Sequence, residues 1–184
     1  MFVVITKGFA IAFRLMIVGK ERVYNMNNED LKTFTTRITQ ANGSELVVIV
    51  YEIIMKDIES AKEAFNAQDH TKFTRDVNHA IKFVNELINT LDFGYPIAYD
   101  LMQLYLYCNK QLIQSNLKNE IESLERASKV LTSLLKGFIE VAKQDEREPL
   151  MSNTQQVYAG LTYGRGSLNE MYVDPNQASR GFRA

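Results

Sequence analysis

The chain has 184 residues, 46% hydrophobic and 23% charged, with a net charge of −1. These values fit one ordinary globular domain and exclude a wholly disordered chain, a collagen-like repeat, a multi-span membrane protein and a general phosphate binder. A single cysteine, Cys108, rules out an intramolecular disulfide framework, and two histidines, His70 and His79, leave little for a histidine-built metal or acid–base site.

Composition divides the chain into three. Residues 1–25 carry net +3 and residues 149–184 net +1, while the middle carries −5. Two of three prolines and four of nine glycines fall after residue 148. A shift of this kind marks domain edges. We therefore expect an N-terminal extension at 1–27, a folded domain at 28–148 and a flexible Gly- and Tyr-containing tail at 149–184. Apolar runs at 2–5 and 11–18 look membrane-directed, but Lys7 and Arg14 interrupt them and no clear cleavage site follows. A membrane span needs about 20 mostly apolar residues. The expected explanation is an adventitious extension or an upstream start, because Met26 opens a polar run suited to a soluble protein.

The middle segment reads as helices in chain order. A short helix or arm covers 29–38. The first long helix spans about 44–68, with Leu46, Ile49, Val50, Ile53, Ile54, Ala61, Ala64 and Phe65 at helical spacing and Asn42-Gly43-Ser44 as cap chemistry. The second spans about 71–91, with Phe73, Val77, Ile81, Val84, Leu87, Ile88 and Leu91 as its stripe, and stops at Phe93-Gly94-Tyr95-Pro96. The third starts at Pro96, a good first-turn residue, and reaches about 117 through Ile97, Leu101, Leu104, Tyr105, Cys108 and Leu112. The fourth spans about 119–146, with Ile121, Leu124, Ala127, Leu131, Leu134, Leu135, Phe138, Val141 and Ala142. Short connections make neighbours antiparallel. The expected fold is all-α: an elongated antiparallel up-down bundle of four long helices plus a short N-terminal helix or arm.

No motif for chemistry emerges. A di-metal bundle needs paired Glu-x-x-His motifs. Here Asp76 stands three before His79 and Ala67 three before His70, so the pair is missing. Nucleophile-elbow, Cys-x-x-Cys and P-loop spacings do not occur. Cys108 lies on an apolar stripe, where cysteine behaves as a small hydrophobe. We expect no enzyme, no cofactor and no metal. What stands out is apolar excess: residues 46–54 are hydrophobic nearly all the way round. Two explanations stay open, a central helix buried by several neighbours or one side serving as a groove for a partner helix.

The stretch Gln40-Ala41-Asn42-Gly43-Ser44-Glu45-Leu46-Val47-Val48-Ile49-Val50-Tyr51-Glu52 resembles the signature of the flagellin export chaperones, the FliS family. Leu104-Tyr105-Leu106-Tyr107 and Ser115-Asn116-Leu117-Lys118-Asn119-Glu120 are similar to two further family motifs, and Phe138 stands where the family often has Trp. The similarity covers about 34–146. It departs at Gln40, Gly43 and Ile53, which replace the family's Thr, Pro and Gly, and at Phe34, which replaces an arm Tyr.

The resemblance implies a cytoplasmic, non-enzymatic chaperone. It would bind the disordered C-terminal region of flagellin, prevent premature polymerisation and deliver it to the flagellar type III export apparatus. It implies no nucleic acid and no membrane insertion. The partner groove is expected near Tyr51, Ile53, Ile54, Tyr105 and Tyr107, with Phe34 and Ile38 as a displaceable cover. Asn116, Lys118 and Asn119 form a helix-junction motif whose simplest role is capping; Tyr51 and Tyr105 equally suit a bundle core. The alternative is a structural or adaptor bundle that binds another amphipathic helix or itself.

Overall fold

In the computed structural model, which describes residues 36–150, the described part opens with one helical turn over 36–40. Asn42 then opens α1 (Gly43–Asn66) with a capping box. Its side chain accepts from the Glu45 amide at 2.9 Å, and the Glu45 carboxylate accepts from the Asn42 amide at 2.8 Å. Two otherwise unpaired backbone donors are thereby satisfied, which is what starts a helix here despite its β-branched first turns. α2 (His70–Asn89) starts where Asp69 accepts from the Lys72 amide. α3 (Ile97–Lys118) follows Pro96, and α4 (Ile121–Lys143) completes the set.

Connections over 67–69, 90–96 and 119–120 are short, so consecutive helices run antiparallel. Each packs on the next, and α1 also packs on α4, closing a four-membered ring. Helices of 20–24 residues give a bundle about 30–36 Å long. The all-α up-down bundle inferred from periodicity is the fold observed.

Helix ends differ from the sequence expectation by a few residues, for local reasons. Asn119 takes the left-handed conformation, φ 51° and ψ 52°. Asparagine tolerates that region better than most residues, so α3 stops there. Ser115 clamps the corner: its carbonyl accepts from the Glu120 amide at 3.1 Å and its hydroxyl donates to the Glu120 carbonyl at 2.7 Å. The fourth helix, expected at 119–146, is therefore Ile121–Lys143, and the residues after it fold back across the start of α1.

The apolar excess of α1 is used by the core. Leu46, Val47, Val48, Ile49, Val50 and Tyr51 are all buried, and only later does the helix settle to one stripe through Ile54, Ile58, Ala61 and Ala64. The first two turns are covered from several sides because the 36–40 turn and the chain after α4 join α2 and α4 around them. The extension 1–27, the arm residue Phe34 and the tail from 151 lie outside the described residues.

Candidate partner-binding site

The five residues expected to line a groove separate into core and surface. Tyr51, Ile54 and Tyr105 are fully buried. Ile53 packs half-buried against the core, and Tyr107 is exposed. They share no open surface, and the core role allowed for Tyr51 and Tyr105 is the one their positions describe. Across the middle of the bundle, the Tyr51 hydroxyl on α1 meets the Tyr105 hydroxyl on α3 at 2.7 Å. Tyr51 also lies against Phe138 of α4, with ring centroids 5.3 Å apart. Burial pushes both phenols well above their ordinary pKa, so both hold their protons. Burial likewise pushes the nearby Cys108 thiol up to about 12, leaving an inert side chain.

The expected cover is partly in view. Ile38, in the 36–40 turn, is 6% exposed and belongs to the core cluster. Arg37 beside it points outward and pairs in fork geometry with Glu52 of α1, at 2.7 and 3.1 Å. One side chain thus anchors the turn inward and its neighbour ties it down outside. Next to the turn, a cleft of roughly 450 Å³ runs between α1 and the end of α4. Val48, Ile49 and Ile139 give it apolar walls, while Arg37, Glu45 and Lys143 supply charge. Ile139 stands in no sequence motif; its place beside the Phe138 position on α4 is the signal the sequence carries.

A strap closes the same end of the bundle. The Leu150 amide donates to the Ala41 carbonyl at 3.1 Å, and Asn42 donates to the Asp145 carbonyl at 3.0 Å. The Asp145 carboxylate accepts from Ser44 at 2.5 Å and from Arg147 at 2.6 and 2.7 Å. Arg147 foremost, with Ser44 behind it, holds the Asp145 carboxyl well below the usual carboxylate range. A depressed carboxyl stabilises the fold at pH above its unfolded pKa of about 3.9 and stops doing so as pH falls through the folded value. At pH 6 the wild type is therefore expected to melt above Asp145→Asn, with the gap nearly constant to about pH 5 and shrinking from about pH 4 towards pH 2. Thermal melts of both proteins across that range check it; a gap that stays constant or widens in acid excludes the strap as the source.

The junction residues act locally. Asn116 donates to Asn78 of α2 at 2.9 Å, Lys118 is the last residue of α3, and Asn119 is its left-handed cap. His79 and Asp76 each have a side-chain partner within the bundle. Nδ1 of His79 meets Asp57 at 2.6 Å, and Asp76 accepts from Ser60 at 2.6 Å. Among the described residues no group of three or more candidate ligands gathers, and no helix is long and apolar enough to cross a membrane.

A family model described as Flagellar protein FliS matches residues 26–145, which contain all four helices. No curated protein matches the chain.

Proposed function

The chain belongs to the FliS family of flagellar export chaperones, and from that premise we propose that it binds the disordered C-terminal region of flagellin. Held in this way, the partner stays soluble in the cytoplasm until the export apparatus receives it. The observation that carries this reading is the covering turn: Ile38 is buried over α1 while an Arg37–Glu52 pair at the surface is its visible tie.

The energetics suit exchange. Burying an isoleucine side chain is worth about 1.5–3 kcal/mol, and an exposed ion pair about 0.2–1 kcal/mol. A partner helix that brings its own apolar stripe replaces both contributions without opening the four-helix core. The adjoining cleft, with Val48, Ile49 and Ile139 inside and charges of both signs at its edge, extends the surface offered once the turn leaves. Flagellin gives up conformational freedom on binding, roughly 2–5 kcal/mol or more, so a long apolar contact is required rather than a small pocket. Helix-in-groove recognition supplies that contact.

Titration calorimetry with a peptide from the C-terminal region of the same organism's flagellin is expected to give a complex near 1:1. Circular dichroism of the mixture should exceed the sum of the parts in helicity. No heat and no added helix at roughly 100 µM peptide, where a micromolar complex would be nearly complete, would defeat the proposal.

A further inference from the structure

The covering turn meets α1 through two neighbouring side chains of opposite character. Ile38 is buried in the core cluster. Arg37 lays its guanidinium across both carboxylate oxygens of Glu52, at 2.7 and 3.1 Å. Glu52 belongs to α1 and stays when the turn leaves, whereas Arg37 departs with Ile38. Glu45 stands seven residues before Glu52, with Val48 and Ile49 between them at helical spacing, so the four share one side of α1. Glu52 foremost, through its hydrogen bond, and Glu45 behind it hold the Arg37 guanidinium above its ordinary pKa, so Arg37 feels both carboxylates. Lys143, the other cation of the cleft, is held by Glu140 at 2.7 Å. The side of α1 that the turn uncovers is therefore apolar in its middle and acidic at both ends.

We infer that Glu52 is a specificity-determining residue of the partner site, selecting a stretch of flagellin in which an arginine adjoins an aliphatic side chain, as Arg37 adjoins Ile38 in the turn. This rests on the chaperone reading above and adds the chemistry of the segment that is chosen. A carboxylate whose cation leaves loses solvation again as the partner settles over it, and an incoming opposite charge offsets that loss. Two oxygens side by side match the planar fork of a guanidinium, whereas a lysine ammonium is a point charge. The sign also rejects: an acidic side chain at the same place would meet Glu52 and Glu45 together. The turn thus occupies the site as a short copy of the contact that its replacement makes at greater length.

Titration calorimetry with the flagellin peptide tests this in the Arg37→Gln background, where the turn has already lost its ion pair and a change at Glu52 reads the partner alone. Adding Glu52→Gln should weaken binding by up to about fivefold, the scale of an exposed ion pair. Adding Glu52→Arg should weaken it by roughly tenfold or more, since like charges then meet. Circular dichroism should show the bundle unchanged in both. Among peptides with each arginine changed singly to glutamate, one should bind Arg37→Gln poorly and recover on Arg37→Gln/Glu52→Arg. The same peptide should lose less on Arg37→Gln/Glu52→Gln than on Arg37→Gln, which decides the matter if the Arg variant loses helicity. Binding that stays within about twofold in both Glu52 variants, inside the scatter of independent sites, overturns the inference. So does a loss that no reversed peptide restores, with no peptide coupled to Glu52→Gln. A wild type and an Arg37→Gln variant that both fail to bind the unmodified peptide defeat the chaperone reading and this inference together. Binding that ignores Glu52 defeats this inference alone.

Discussion

Tyr51→Ala is expected to lower the unfolding free energy by about 3–5 kcal/mol, the range for truncating a large buried aromatic. Its ring is wholly buried between α3 and α4, touching both Tyr105 and Phe138. The void cannot close without moving two helices, because the side chain spans the bundle's centre. The more discriminating variants keep the ring. Tyr51→Phe or Tyr105→Phe leaves the opposite hydroxyl buried without its 2.7 Å partner, at about 1–3 kcal/mol each. Replacing both by Phe removes both polar groups together and should return stability to within about 1 kcal/mol of wild type. Urea unfolding of the four variants measures this. A double variant that loses the sum of the single losses would show that the hydroxyls act separately.

The same pair has a signature in alkali. A phenol whose folded pKa is raised favours the native state fully below its unfolded pKa of about 10 and loses that contribution as pH rises towards the folded value. The wild type should therefore lose stability above pH 10 more steeply than the double Phe variant.

Ile38→Asp is expected to raise affinity for the flagellin peptide about tenfold or more. If the turn must leave for the partner to bind, its inward anchor works against binding, by about the 1.5–3 kcal/mol that its burial supplies. A charge at that position keeps the turn out, so the binding-competent state is populated beforehand and the apparent Kd falls in proportion. Arg37→Ala releases only the exposed tie and should change affinity less than about fivefold. Calorimetry against the same peptide, with circular dichroism as a check that the bundle is intact, separates the two. If Ile38→Asp weakens binding, the turn is part of the partner's seat rather than its cover.

The contrast between these two sites shows what was legible beforehand. Helix number, order and direction follow from spacing and cap chemistry within a few residues of one another, and Asn42, Pro96 and Asn119 each mark an end. The side of a helix that meets another helix is a local property of the chain. Whether a second side is groove or core is not local. It depends on which distant segment lies there. Residues 46–51 of α1 are the same residues in both cases, but the 36–40 turn and the strap around Asp145 decide their burial. The Asn42–Asp145 contact joins positions 103 apart, and no periodicity near either residue announces it. The motif points to Tyr51 and Tyr105 as partner contacts or, equally, as core residues. Their adjacency is a fact of the bundle's diagonal, which a linear pattern does not carry.

The strap gives the molecule a mechanical direction. The Ala41 carbonyl and the Leu150 amide are hydrogen-bonded, so the points where the bundle's chain comes in and goes out lie side by side at one pole. Tension drawing those points apart does not shear the four helices past each other. It falls first on the Leu150–Ala41 bond and the Asp145 contacts, which open one after another like a zipper. A pull on the ends thus peels the chain from its margin inward, and the Tyr51–Tyr105 centre bears load last.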